Sequence, residues 1–230
     1  MSAVLSSSKE VPNAELEIVR LTGHIGAQVQ GIRLSGNLPA DIFKSIQSAL
    51  YAHKVLFFRN QEHLDDAAHQ EFGRLWGPLE DHPTVPSRDG TRIFELDSQH
   101  GGRANSWHTD VTFEVAPPQV SILRAVVLPT VGGDTVWANT AYAYAELSPS
   151  LKSLAEELWA IHSNDYDYAA TRVEPDPAGV KRFREVFKRR LIQSEHPLVR
   201  VHPVTGERTL VAGHFLKKFI GYNTQDSNHL

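Results

Sequence analysis

The sequence contains no cysteine among its 230 residues, which excludes disulfide bonds and thiol catalysis. It has no apolar run long enough to cross a bilayer and no secretory signal pattern. Basic residues are also in short supply, since 23 Lys and Arg stand against 27 Asp and Glu. The resulting net charge of −4 gives no support to nucleic-acid binding. These absences favour a cytoplasmic enzyme that has no membrane or nucleic-acid partner.

The length of 230 residues predicts a single domain with a substantial core. Residues 1–14 are polar and include three consecutive serines, so we expect a mobile tail before one domain at 15–230. Within that domain, short strand-like runs are interrupted by helical patterns without regular βαβ alternation. This mixture favours a mainly β fold, an antiparallel sheet or β-sandwich decorated by helices.

Hydrophobic periodicity and end signals predict the individual elements. Helices are expected at 39–53, at 64–76 with Asp65 as the cap, after the Ser148 cap through Ile161, and around 180–187. Strands are expected at 16–19, 27–34, 55–58, 107–113, 120–128 and 134–137, with a hairpin at 198–212. Residues 80–105 predict a long loop, a candidate lid because loops of this length are usually functional or disordered.

The most informative motif is His108 and Asp110, two metal-binding side chains separated by one residue. On a strand, residues two apart point to the same face, so both side chains could reach one ion. An imidazole and a carboxylate, completed by a second imidazole, form the triad that holds non-haem Fe(II) and leaves three positions open. A His-x-Asp pair alone is also common on half-exposed strands, where the aspartate is solvated or paired.

A second motif begins at the glycine pair of residues 132–133, which predicts a tight turn. Thr135 follows it and would place a hydroxyl on an otherwise apolar strand. Such a hydroxyl could hold a carboxylate beside a metal. Taken alone, the motif is explained better by a turn and by the β-propensity of threonine.

Together, residues 107–113 (Trp-His-Thr-Asp-Val-Thr-Phe) and 132–139 (Gly-Gly-Asp-Thr-Val-Trp-Ala-Asn) resemble the taurine dioxygenase family of Fe(II)/2-oxoglutarate-dependent dioxygenases. The resemblance runs from about Leu16 to the last residue and includes residues 54–59 and 82–86 in the expected order. Within the family, the alkylsulfatase branch is most similar, on the basis of residues 105–107, 137–140, 162–164 and 213–215.

The resemblance implies a double-stranded β-helix, or jelly roll, with inserted and flanking helices. It implies that His108 and Asp110 are iron ligands and that Thr135 binds one carboxylate of 2-oxoglutarate. It places His82 against the anionic group of the substrate, where a solvated loop histidine would otherwise be expected, and Val111 in the wall of the substrate pocket.

The implied reaction consumes O₂ and 2-oxoglutarate and oxidises an alkyl sulfate ester to an aldehyde and sulfate, with succinate and CO₂ as coproducts. The same chemistry on a sulfonate such as taurine, or on another small organic acid, is the first alternative. We also expect a homo-oligomer, either a dimer or a tetramer.

The family takes its third iron ligand, and an arginine that binds 2-oxoglutarate, from a strand beyond the point where this chain stops. No suitable arginine follows any of the candidate histidines His196, His202 and His214, so we predict structural roles for all three. Residues 224–230 have the pattern of a helix start. We therefore expect a chain that lacks its C-terminal section, and a non-catalytic binding protein or an inactive fragment is the second alternative.

Overall fold

A computed structural model describes residues 16–96, 106–165, 185 and 190–230 of the chain. The expected tail at 1–14 and the helical face at Val180, Phe183 and Phe187 lie outside these residues. Helices and three small sheets make up the part that is described. Among the described residues, no helix is long and apolar enough to span a bilayer.

The N-terminal part forms a three-stranded sheet covered by two helices. Its strands are β1 (Glu17–Arg20), β2 (Ala27–Gln30) and β3 (Leu56–Phe57), with β2 antiparallel to β1 and parallel to β3. Helices α1 (Ala40–His53) and α2 (Asp66–Arg74) bring Leu34, Ile46, Leu64 and Phe72 into one buried cluster. The predicted cap of α2 is confirmed, because the Asp65 carboxylate accepts a 2.8 Å hydrogen bond from the Ala68 amide.

A second sheet lies towards the C-terminus, in the order β5–β4–β8. Its strands are β4 (Trp159–Ser163), β5 (Gln193–Pro197) and β8 (Leu216–Phe219), and both neighbours run antiparallel to β4. The short helix α3 (Thr140–Ala145) and helix α4 (Pro149–Glu157) precede this sheet. Ala155, Leu158, Ala160, Leu198 and Phe219 form its core.

The C-terminal boundary of α4 corrects one expectation. Ser148 caps the helix as predicted, but Leu158 already has extended backbone angles and Ile161 belongs to β4. The predicted helical face at Ile161 is therefore wrong. The reason is that β4 forms hydrogen-bond ladders on both of its sides, which outweigh the local apolar spacing.

The predicted hairpin and the last helix are both present. Strands β6 (Val199–Val201) and β7 (Arg208–Leu210) pair antiparallel in a separate two-stranded sheet. Helix α5 (Thr224–His229) begins after Asn223, whose side chain accepts a hydrogen bond from the Asp226 amide. The helix start that the sequence predicts here is confirmed.

Three predicted strands, at 107–113, 120–128 and 134–137, are absent from these positions in the structure. Residues 110–113 form a turn, and the other two segments have no described strand as a ladder partner. Residues with high strand propensity form a strand only beside such a partner, because an isolated extended chain leaves its amides and carbonyls unpaired. The described residues are therefore a mixture of helices and small sheets rather than mainly β.

Candidate active site

His108 and Asp110 come together through a turn rather than along a strand. Val111 has a φ of 56°, in the left-handed region that β-branched residues rarely adopt, and this reverses the chain after Asp110. The two side chains then meet, with His108 Nε2 at 3.2 Å from Asp110 Oδ1. Strained backbone of this kind is found where the surrounding structure holds a functional group in place.

Hydrogen bonds orient both members of this pair. His108 Nδ1 donates to the Ser106 carbonyl at 2.9 Å, and Asp110 Oδ2 accepts from the Ser121 hydroxyl at 2.7 Å. The hydrogen bond with Asp110 raises the pKa of His108, and that same bond lowers the pKa of Asp110. Burial opposes the change in each pKa, and the Ser121 hydroxyl further stabilises the Asp110 anion. Asp110 is thus held as a carboxylate beside an imidazole.

This donor set fits a divalent metal ion. Two ligands about 2.1 Å from one ion and at right angles to each other would be roughly 3 Å apart. The His108–Asp110 separation of 3.2 Å is close to that value. The Asp110 side chain is 52% exposed, so an ion could reach it from solvent. Within the described residues, no group of three or more His, Cys, Asp or Glu side chains converges in this way, so they offer no third ligand beside this pair.

His82 lies near this pair as a partly buried, neutral side chain. Burial lowers the pKa of its imidazole to about 4, although the negative charge of Asp110 acts in the opposite direction. Its Nδ1 accepts a 3.0 Å hydrogen bond from the Val85 amide, so the neutral ring carries its proton on Nε2. The ring contacts Phe94 and Phe113, with centroid distances of 5.0 and 6.4 Å. His82 is therefore an N–H donor in apolar surroundings.

An apolar cluster completes this region. Phe113 is fully buried and its ring meets Phe215 edge to face at 5.0 Å, while Val111 packs against this cluster. The Phe215 ring also approaches His108, with a centroid distance of 5.9 Å. The site thus combines a His–Asp pair whose geometry fits a metal ion, a neutral imidazole and an apolar surface.

Thr135 is placed differently from the other predicted site residues. It is exposed and lies in the irregular segment between residues 106–114, the ligand turn that carries His108 and Asp110, and α3. Its hydroxyl forms no hydrogen bond with any described residue, and none joins it to His108 or Asp110. The structure brings together His82, His108, Asp110 and Val111 but leaves Thr135 outside this group.

A buried polar network beneath the ligand turn was missed by the sequence analysis. His162 Nδ1 and the Thr112 hydroxyl share a 2.9 Å hydrogen bond, and the Ser194 hydroxyl donates to the Thr112 carbonyl at 2.9 Å. His196 Nε2 donates to the Glu114 carbonyl at 3.0 Å. The only available signal was the alternation of Ser194 and His196 along β5, and polar residues in such a pattern normally indicate a solvent-facing side.

Two of the three candidate histidines have clear structural surroundings. His196 belongs to this network, and His202 Nδ1 accepts a 3.2 Å hydrogen bond from the Thr205 amide in the hairpin loop. His214 instead lies against the metal-binding motif, where its amide donates to the Trp107 carbonyl at 2.8 Å. Among the described residues, none of the three joins His108 and Asp110 as a ligand.

Comparison with known proteins identifies relatives over nearly the whole chain. Residues 17–230 match the family "Taurine catabolism dioxygenase TauD, TfdA family". The chain is 54% identical over 217 residues to an alpha-ketoglutarate-dependent sulfate ester dioxygenase of Pseudomonas putida, covering 94% of this chain and 72% of that protein. It is 50% identical over 220 residues to an alkylsulfatase of Acinetobacter baylyi, covering 95% and 69%.

Solved structures share the fold. A taurine dioxygenase from Burkholderia xenovorans superposes with a TM-score of 0.71 at 35% identity, covering 93% of this chain and 69% of that one. The protein AAD-2, in complex with Mn(II) and N-oxalylglycine, gives a TM-score of 0.72 at 24% identity, covering 94% of this chain and 76% of that one. The resemblance found in the sequence is confirmed, including its alkylsulfatase branch, and the chain belongs to the taurine catabolism dioxygenase TauD, TfdA family.

Proposed function

We propose that this chain is an Fe(II)- and 2-oxoglutarate-dependent dioxygenase that oxidises an alkyl sulfate ester to an aldehyde and inorganic sulfate. Succinate and CO₂ are the coproducts, and O₂ is the oxidant. The observation that carries the proposal is the His108–Asp110 pair, 3.2 Å apart, in a chain that is 54% identical to a sulfate ester dioxygenase. The pair supplies two of the ligands that a non-haem iron site needs.

His108 and Asp110 would hold the iron, and Thr135 would bind a carboxylate of 2-oxoglutarate. Together with 2-oxoglutarate, bound iron supplies the activation of O₂ that inserts an oxygen atom into a C–H bond. The third ligand and the arginine for 2-oxoglutarate have no assignment among the described residues. The protein's own contribution is to orient the substrate and keep water from the reacting carbon.

The surroundings of the pair suit an alkyl sulfate. His82 is neutral and offers an N–H from partly buried, aromatic surroundings, which can donate to a sulfate oxygen. Val111, with the cluster around Phe113 and Phe215, offers an apolar surface for an alkyl chain. A substrate with an anionic head and an apolar tail could therefore bind beside the iron ligands, with its head at His82 and its tail on the apolar surface.

The products follow from where the oxygen is inserted. Hydroxylation of the carbon that bears the ester oxygen leaves a hydroxyl and a sulfate on the same carbon. The C–O bond to sulfate then breaks, the hydroxyl loses its proton, and the carbon becomes an aldehyde. One sulfate is released for each 2-oxoglutarate decarboxylated, which differs from hydrolysis, where no 2-oxoglutarate is used.

The test is to incubate the protein with Fe(II), 2-oxoglutarate, O₂ and hexyl sulfate, and to measure succinate and sulfate. Equal amounts of both are expected. Sulfate without succinate would indicate hydrolysis and contradict the proposal. Neither product, together with no Fe(II) binding, would favour a non-catalytic binding protein or an inactive fragment.

The same chemistry on a sulfonate is the second candidate. It is favoured by the fold shared with a taurine dioxygenase and by 30% identity to a sulfonate dioxygenase of Saccharomyces cerevisiae. Taurine would release sulfite in place of sulfate, so the sulfur product separates the two candidates. Faster succinate formation with taurine than with hexyl sulfate would reverse their order.

We further propose that the small sheets belong to a jelly roll, which the fold shared with the taurine dioxygenase supports. A cytoplasmic homo-oligomer, a dimer or a tetramer, also remains a prediction. The exposed side chains of Val126, Val127 and Leu128 offer an apolar surface that a second subunit could cover. Analytical ultracentrifugation would measure the oligomeric state.

A further inference from the structure

The segment Gly213–Phe215 contacts three consecutive residues of the metal-binding motif. The His214 amide donates to the Trp107 carbonyl at 2.8 Å, and His214 Nδ1 shares a 2.8 Å hydrogen bond with the Ser106 hydroxyl. The ring of Phe215 approaches the ring of His108 edge to face. Residues more than a hundred positions apart in sequence therefore meet directly behind the side chain that would bind the ion.

This close approach depends on glycine at position 213. A Cβ added there would lie 2.7 Å from the Trp107 carbonyl oxygen and 3.2 Å from His108 Cα. The φ of Gly213 is 137°, a conformation that residues with side chains rarely adopt. The backbone of residue 213 is thus in van der Waals contact with the backbone that carries His108, and a side chain would push the two segments apart.

Ser106 connects His214 to His108. The Ser106 carbonyl can only accept, so its 2.9 Å contact with His108 Nδ1 places a proton on that nitrogen. His108 Nε2 is then the atom with which the ring can bind an ion. In the metal-free protein this nitrogen donates to the Asp110 carboxylate, so an ion that binds there would replace the proton on Nε2. The orientation of the His108 ring and the proton on its Nδ1 therefore depend on where the Ser106 backbone is held, and the Ser106 hydroxyl is held by His214.

We propose that His214 is a positioning residue for the iron ligand His108. It acts through Ser106, whose carbonyl holds the proton on His108 Nδ1 and so turns Nε2 towards Asp110 and the metal. Groups that hold the second nitrogen of a metal-binding histidine change metal affinity by about 10- to 100-fold. The inference rests on the metal site of the proposed function, but it also makes a claim about the metal-free protein.

The first experiment measures whether His108 Nδ1 carries a proton without metal, by NMR of protein labelled with ¹⁵N-histidine. The His108 signals are assigned by their loss in His108→Gln. In the wild type we expect Nδ1 to carry a proton that is hydrogen-bonded to Ser106. In His214→Ala and Ser106→Ala we expect the Nδ1 signal to shift towards that of an unprotonated nitrogen, because Asp110 still holds a proton on Nε2.

His214→Asn is the conservative variant, because an asparagine amide can occupy the position of Nδ1 and should restore most of the wild-type signal. His202→Ala is the matched control, since His202 lies in the hairpin loop and its loss should leave the His108 signals unchanged. Circular dichroism checks that each variant is folded. If His214→Ala unfolds, Ser106→Ala tests the same hydrogen bond with the smaller change.

The second experiment titrates the proteins with Mn(II) and follows bound metal by electron paramagnetic resonance. We expect His214→Ala and Ser106→Ala to bind about tenfold more weakly than wild type, and His202→Ala to bind equally. Unchanged His108 signals and unchanged Mn(II) affinity in both variants would overturn the positioning role. A wild type that binds no Mn(II), while the His108 signals still shift in His214→Ala, would overturn the metal site and leave the positioning role standing.

Discussion

Two segments without helix or strand lie on either side of the proline pair at 117–118, and they differ in their surroundings. The ligand turn at 106–114 is held from below by hydrogen bonds from β4 and β5, and Phe113 within it is completely buried. The segment at 120–137 is mostly exposed, to the extent that Val127 retains 87% of its accessible surface. Buried polar groups and aromatic rings thus hold the ligand turn, whereas most side chains of the second segment face solvent.

This difference explains how a strained residue persists in the ligand turn. Left-handed backbone angles at a β-branched residue such as Val111 cost on the order of 1–3 kcal/mol. Such a conformation persists only where contacts with the surrounding structure hold it in place. Here the neighbours are the Thr112 contacts on one side and the apolar cluster on the other. The second segment is held near its start, where Ser121 donates to Asp110, Ile122 packs against the N-terminal core and Arg124 pairs with Asp66. The side chains further along it, Thr135 among them, are exposed.

The largest effect is expected from the ligands in the ligand turn. His108→Ala or Asp110→Ala should reduce succinate formation to background, because each change removes one of the few groups that hold the iron. Coupled measurement of succinate and sulfate checks this, with His202→Ala as a control outside the site. Near-normal turnover in either variant would refute the assignment of the metal site.

In the second segment, Thr135→Val tests whether an exposed hydroxyl binds the cosubstrate. This nearly isosteric change should raise the 2-oxoglutarate requirement about ten- to a hundredfold, because it removes one hydrogen bond to a carboxylate, worth roughly 1.5–3 kcal/mol. The apparent KM for 2-oxoglutarate is the measurement, with Fe(II) affinity as the control that should stay constant. An unaltered KM would mean that Thr135 is a surface residue without a role in the reaction.

A smaller effect is expected when the support beneath the ligand turn is weakened. Ser194→Ala removes the donor to the buried Thr112 carbonyl, which should cost about 1–3 kcal/mol of unfolding free energy. For a chain of this size, the melting temperature should fall by about 2–4 °C per kcal/mol. The matched control is Ser153→Ala on the exposed side of α4, where the change should be within about 0.5 kcal/mol. Equal losses in both variants would contradict the supporting role of β5.

The smallest effect concerns pH. Burial lowers the pKa of His162 to about 4, below its usual value of 6.5, and the nearby His196 acts in the same direction. Between pH 6.5 and 4 the folded state therefore binds fewer protons at His162 than the unfolded state does. The free energy of unfolding is highest above about pH 6.5 and declines as the pH falls towards 4. For His162 alone, the loss between pH 6.5 and 5.5 is roughly 1 kcal/mol.

Denaturant unfolding of wild type and His162→Phe at several pH values tests this expectation. The variant should lose stability at every pH because Thr112 loses its partner, but its stability should depend less on pH over that interval. The comparison of slopes separates the titration of His162 from the loss of packing. Parallel curves for the two proteins would show that His162 is not the titrating group.

Local signals in the sequence were sufficient for features that depend on a few neighbouring residues. The caps Asp65 and Ser148 were predicted correctly because a side-chain oxygen and an amide three residues later are close in any helix start. The hairpin at β6 and β7 was predicted for the same reason, since its turn and its pairing lie within about a dozen residues. His108 and Asp110 were recognisable by residue type and by family resemblance.

Sequence alone determined the chemistry that this chain can offer, because the identities of His108, Asp110 and their neighbours define the donor atoms. Only the tertiary structure decided how these atoms meet. The strand expected at 107–113 became a turn because contacts from distant segments, including Thr112 with His162 and Trp107 with His214, outweigh strand propensity. Such contacts join residues 50 to more than 100 positions apart, and no local pattern encodes them, since each depends on the packing of the whole sheet beneath the site.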